Sequence, residues 1–154
     1  MKFVFLYGTE SGNSEMVAED LRLDLHEEHG SELSDLRDFP VSELDPESFH
    51  VFVCSTYGEG DLPDSAVPFA EKLAQLSPDL TGLRYAMFGL GDTFYEETYS
   101  QGSEVLDRLL SSLGAVRVGE YGRHDASTWE APTDVARAWF PAVIAAALSE
   151  NVSV

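Results

Sequence analysis

Four apolar runs punctuate the chain, at residues 3–7, 51–54 and 85–88 and, more weakly, at 116–118. They are continuous rather than alternating, the pattern of strands covered on both faces, as in a parallel sheet. Between them apolar residues recur at helical spacing. Val17, Ala18, Leu21 and Leu25 share one face, with Glu15, Glu19, Arg22 and Glu28 elsewhere and Gly30 as the stop. Ala66, Phe69, Ala70, Leu73 and Leu76 form a second stripe, and Val105, Leu106, Leu109, Leu110 and Leu113 a third, ended by Gly114. A last helix turns Val135, Ala136, Trp139, Phe140, Val143, Ile144 and Ala147 inward, with Pro141 expected to kink or restart it. A poorer strand at 33–36 completes an alternation of five strands and four helices. That alternation predicts a doubly wound α/β domain, three layers deep, occupying residues 1–154.

In such sheets ligands sit beyond the carboxyl ends of the strands, where the winding reverses. The first strand runs directly into Tyr7-Gly8-Thr9-Glu10-Ser11-Gly12-Asn13-Ser14 and then a helix. Backbone N–H groups, the hydroxyls of Thr9, Ser11 and Ser14, and the positive end of the helix dipole converge there, which suits a phosphate. With no lysine the loop is not the nucleotide-hydrolysing type, and it lacks the three-glycine dinucleotide fingerprint. An ordinary capped helix start is the plainer alternative, since Ser and Asn are favoured there anyway. The third strand is followed by Ser55-Thr56-Tyr57-Gly58-Glu59-Gly60-Asp61 and the fourth by Gly89-Leu90-Gly91-Asp92-Thr93-Phe94-Tyr95. Two tyrosines set among glycines beside a phosphate cradle make a slot for a planar ring carrying a phosphate.

Composition narrows the function. The formal charge is −19, with only nine Lys and Arg in 154 residues. That argues against nucleic acid and against anionic membrane surfaces, and favours docking to a basic protein face. General solubility, or adaptation to a salty interior, would also account for it. No run has the length of a membrane span, and the opening apolar stretch is too short for a secretory signal. The lone Cys54 excludes an internal disulfide and any cysteine cluster and fits a reducing cytoplasm. Inside an apolar strand it reads as a small buried hydrophobe. No hydrolase pattern is present, and His26, His29, His50 and His124 form no triad or metal-ligand spacing. No catalytic or metal-binding residue is assigned.

Taken together, residues 9–14, residues 55–61, Phe88-Gly89-Leu90-Gly91-Asp92 through Tyr95, and Trp139-Phe140-Pro141-Ala142-Val143 resemble the flavodoxins. The resemblance extends to the FMN domain of cytochrome P450 reductase and to stand-alone MioC-type bacterial proteins, and it covers essentially the whole chain. It implies a flavodoxin-like five-stranded parallel sheet in the order 2-1-3-4-5 with FMN as cofactor. Thr9, Glu10, Ser11, Gly12, Asn13 and Ser14 would hold the phosphate, with Ser55 and Thr56 close by. Tyr57 and Tyr95 would flank the ring, Tyr95 stacking coplanar with it. The Gly58 peptide would turn toward flavin N5–H on one-electron reduction. Residues 90–99, among them Leu90, Gly91, Asp92 and Tyr99, would contact the ring edge and ribityl chain, and Asp125 would stand in the loop after the fifth strand. Asp92 replaces the Asn of the reductase pattern and Glu97 its His, adding negative charge. The long insertion of some family members has no room between residues 118 and 122.

The implied function is a monomeric, cytoplasmic one-electron carrier, loaded by a flavoprotein reductase and discharged to basic-faced acceptors such as a P450 or similar oxygenase. Two other readings stand beside it. One is an FMN-dependent NAD(P)H or quinone oxidoreductase, and the other a non-redox acidic interaction module on the same fold.

Overall fold

The structure is a computed structural model that describes residues 2–8, 13–25, 29–55, 66–91, 101–125 and 130–152. In chain order the elements are β1 (Lys2–Gly8), α1 (Asn13–Asp24), β2 (Gly30–Asp35), β3 (Ser48–Ser55), α2 (Val67–Leu76), β4 (Arg84–Gly91), α3 (Gln101–Ser112), β5 (Val116–Arg117), β6 (Gly122–Asp125) and α4 (Pro132–Val152). The strands form one parallel sheet in the order β2-β1-β3-β4-β5, with β6 also paired to β4. This is the expected doubly wound order.

Side-chain alternation along the central strands divides the core into two layers. Phe3, Phe5, Phe49, Val51, Val53 and Phe88 face α1 and α4, where Val17, Leu21, Ala136, Phe140 and Val143 meet them. Val4, Leu6, Phe52, Cys54, Tyr85 and Met87 face α2 and α3, against Phe69, Leu73, Leu106 and Leu110. Burial on both faces is why these strands read as unbroken apolar runs. Cys54 is fully buried, and burial pushes its thiol up to about 12, so it behaves as a small hydrophobe.

The sequence-based elements hold with local differences. Gly30 opens β2 rather than stopping α1, which ends at Asp24. Leu76 and Val105 are exposed, at 55% and 39%, so the stripes on α2 and α3 are narrower than their spacing implies. Gly114 ends the α3 segment as expected, at φ +106°. Pro141 neither breaks nor restarts α4, which continues across it. It lies on the exposed side, so water can satisfy the carbonyl that loses its N–H partner.

The largest departure is the fifth strand position. It is filled by two pieces, β5 against Arg84 and Tyr85 and β6 against residues 88–91. Val118 N–H still donates to the Tyr85 carbonyl at 2.7 Å, and then Gly119, at φ +79°, turns the chain away. Where it returns, Gly122 lies under Phe88 and Trp139, and the Trp139 indole N–H donates to the Glu120 carbonyl at 2.7 Å.

Candidate functional site

Because every pair in the sheet is parallel, the carboxyl ends of β1, β3, β4 and β6 share one edge. Gly8 stands opposite Cys54, Ser55 opposite Leu90, and Gly91 opposite Asp125. From β1 the chain winds outward to β2 and then crosses back to β3. The reversal, where a crevice opens, therefore lies between β1 and β3.

Among the described residues, a side-chain hydrogen bond bridges that crevice. Ser14, in the first turn of α1, is fully buried, and its hydroxyl lies 2.6 Å from that of Ser55 at the end of β3. Two hydroxyls bonded to each other retain lone pairs and share one spare proton, so they can still donate to an anion. The first N–H groups of α1 have no partner within the helix and carry its positive dipole end. A phosphate monoester fits this donor set, which needs no cationic side chain. Beside it the Tyr7 hydroxyl donates to Glu15 at 3.0 Å. Burial, then the Glu15 hydrogen bond and charge, push that phenol up to about 12, so Tyr7 stays a neutral donor.

Of the residues expected at the site, the structure describes Asn13, Ser14, Ser55, Leu90, Gly91 and Asp125. The first three cluster at the β1–β3 crevice and the last three at the ends of β4 and β6. Leu90 is 7% exposed and packs into the α1/α4 core, which leaves its backbone as the part able to meet a ligand. Asp125 is the last residue of β6 rather than a loop residue, because β6 extends the sheet beyond the apolar run at 116–118. Gly89 lies within β4, and the room left by its missing Cβ is taken by Ser103 of α3, whose hydroxyl bonds Tyr121, not by a ligand. Thr9, Glu10, Ser11, Gly12, Thr56, Tyr57, Gly58, Asp92, Tyr95 and Tyr99 lie outside the described residues.

Two features of β6 and the segment leading into it escape sequence reasoning. His124, 5% exposed, places Nε2 2.8 Å from the Glu130 carbonyl. Tyr121, just before β6, has the guanidinium groups of Arg117 and Arg123 at 5.1 and 4.3 Å from its ring centroid. Neither carries a recognised spacing signature, because His124 meets a backbone carbonyl and the arginines meet the face of a ring. At the opposite, amino edge an open hollow of about 540 Å³ is lined by Lys2, Glu32, Phe39 and Asp45, among others. It presents carboxylates around a lysine already paired to Glu32 at 2.7 Å and is no match for a phosphate. Among the described residues no helix is long and apolar enough to cross a membrane.

Comparison with known proteins agrees with this geometry. The flavodoxin family model matches residues 5–139. NADPH–cytochrome P450 reductase of Sus scrofa is 38% identical over 133 residues, and that of Cavia porcellus 39%, covering 79% of this chain. The chain spans only 19% of the length of these reductases. Among solved structures, a cysteine-to-serine mutant of flavodoxin from Pseudomonas aeruginosa superposes with a TM-score of 0.82 at 33% identity, covering 95% of this chain and 98% of that one. Oxidised flavodoxin 2 from Bacillus cereus gives 0.80 at 26%, covering 94% and 99%.

Proposed function

The chain belongs to the flavodoxin family of FMN-binding electron carriers, and on that premise we propose that it takes single electrons from a separate flavoprotein reductase and passes them to acceptor proteins. The observation that carries the placement of FMN is the buried Ser14–Ser55 hydroxyl pair across the β1–β3 crevice, at the amino end of α1. Residues 9–14 with Ser55 and Thr56 would hold the phosphate through hydroxyl and backbone donors. Tyr57, Gly58, Tyr95, Tyr99 and residues 90–92 would border the ring, with Asp125 at the end of β6. FMN supplies the one-electron chemistry, and the protein binds it, orients it and limits its contact with water.

The test is selective loss. Ser14→Ala removes the hydroxyl without adding bulk at this buried position, so FMN is expected to bind about tenfold more weakly while riboflavin, which lacks the phosphate, changes little. Fluorescence titration of the apo-protein with both flavins measures this, and equal losses would place the phosphate elsewhere. FAD is expected to bind poorly, because the cradle receives a terminal phosphate.

The partner is proposed on charge. A protein of formal charge −19 docks fastest on a basic face, and Glu59, Asp61, Asp92, Glu96 and Glu97 all fall in the segments that follow β3 and β4. Reduction by a cognate reductase should slow steeply with salt, since the screening length is about 8 Å at 0.15 M. Neutralising Glu96 and Glu97 is expected to slow it more than neutralising Glu15 and Glu19 on α1. Stopped-flow traces of the two double variants decide between steering and a general solvation role. NADPH oxidation by the purified protein without a reductase would favour an oxidoreductase over a carrier.

A further inference from the structure

β6 is a short strand outside the main strand order of the sheet, and a candidate site residue, Asp125, lies at its end. It has four residues, pairs with β4, and carries no apolar run. Short edge strands fray, because half of their backbone groups have no ladder partner. Asp125 nevertheless must hold its register opposite Gly91 if the two ends are to frame one ligand.

His124 supplies what the ladder lacks. Its imidazole is 5% exposed, and Nε2 lies 2.8 Å from the backbone carbonyl of Glu130. A carbonyl oxygen only accepts, so Nε2 carries the proton and donates. The bond brings the Glu130 backbone within one side chain of β6. Glu130 leads directly into α4, and that helix is fixed in turn: the Thr133 hydroxyl donates to Asp20 of α1 at 2.7 Å, and Arg137 pairs with Asp24 at 2.5 Å. The end of β6 is thereby tied to a helix that is itself tied to α1.

We propose that His124 is a positioning residue for the ring end of the flavin site, fixing Asp125 beside Gly91 through its Nε2–H bond to Glu130. The proposal rests on the reading above, in which the ends of β4 and β6 border the ring. Strand β4 lies between the Ser14–Ser55 pair and His124, since Leu90 is the register partner of both Ser55 and His124, so on this proposal loosening His124 leaves the phosphate cradle intact. Its effect must therefore be the same for a flavin with a phosphate and for one without.

Two amides of different length isolate the bond. In His124→Gln the side-chain nitrogen reaches about as far as Nε2 and can donate to Glu130. In His124→Asn it stops near the level of Nδ1 and cannot. Apo-protein of each is titrated with FMN and with riboflavin by fluorescence quenching, and the visible absorption of each complex is recorded. We expect Asn to weaken both flavins by the same factor, about fivefold, the net value of one hydrogen bond, and to shift the visible band. Gln should remain within about twofold of wild type with an unshifted band. His124→Met, similar in length but without a donor, is expected to follow Asn and gives the same comparison if Asn fails to fold. Wild-type affinity and spectrum in Asn, equal behaviour of Asn and Gln, or a loss confined to FMN would each overturn the proposal. A wild-type protein that binds neither flavin would overturn the FMN reading as well, a result distinct from these.

Discussion

Gly122→Val should destabilise the apo-protein by about 3 kcal/mol, at the upper end of what overpacking costs. A Cβ at position 122 would lie 2.5 Å from Phe88 Cδ2 and 2.9 Å from Cε2 and Nε1 of Trp139. Neither ring can give way cheaply. Phe88 is fully buried between the sheet and α4, and its centroid lies 5.2 Å from that of Trp139. Trp139 is held by its indole bond to the Glu120 carbonyl. Valine must therefore break that bond or lift β6 off β4. Urea unfolding followed by far-ultraviolet dichroism gives the number. Trp139→Leu in the same chain should recover part of the loss, so that the double variant is less destabilised than the sum of the singles. Strict additivity would show that the indole is not what the new side chain meets.

Acid should weaken the fold through one buried histidine. His50, on β3, is fully buried, and neither ring nitrogen makes a hydrogen bond of ordinary geometry. Loss of water holds its pKa down to about 4, against partial opposition from Asp45 and the backbone of Arg84 and Ser48. The unfolded chain takes up a proton near pH 6.5, whereas the folded chain does so only near 4. Between those values the unfolded state binds more protons, so stability falls as pH falls through that window and levels off below it. The full span is worth about 3 kcal/mol at most. Carboxylates add their own acid dependence, so the informative quantity is a difference. His50→Leu should gain about 2–3 kcal/mol on wild type between pH 7.5 and pH 4.5. Parallel stability curves for the two proteins would mean that His50 is already solvated or paired.

The central sheet is legible in the sequence because burial on two faces leaves an unmistakable trace. Residues 3–7, 51–54 and 85–88 are continuous apolar runs for the same reason that they occupy the middle of β1, β3 and β4. β6 leaves no such trace. Its sequence is Gly-Arg-His-Asp, and its two buried positions are a glycine and a histidine, which hydrophobic patterning passes over. The apolar run at 116–118 therefore stands for the whole fifth strand in the pattern, and Asp125 falls in a loop. Pro141 misleads in the other direction, since the rule against proline inside helices weakens where the orphaned carbonyl faces water. At the site, Ser14 and Ser55 can be found because loops that cradle phosphate need hydroxyls and glycines next to a helix start. His124 cannot, because its partner is a backbone carbonyl, and every residue type offers one of those.

Helix α4 covers a sheet face whose aromatic residues lie far upstream. Its ties to α1, Thr133 to Asp20 and Arg137 to Asp24, each join residues 113 positions apart. On the ribosome, β1, β3 and β4 emerge before α4 does. Phe3, Phe5, Phe49, Val51, Val53 and Phe88 then have only α1 to shelter them. The nascent chain thus passes through a stage with one side of its sheet bare, the kind of species that chaperones bind and that aggregates when they are scarce. Native topology delays protection of that face until the last helix has been made, however stable the finished fold.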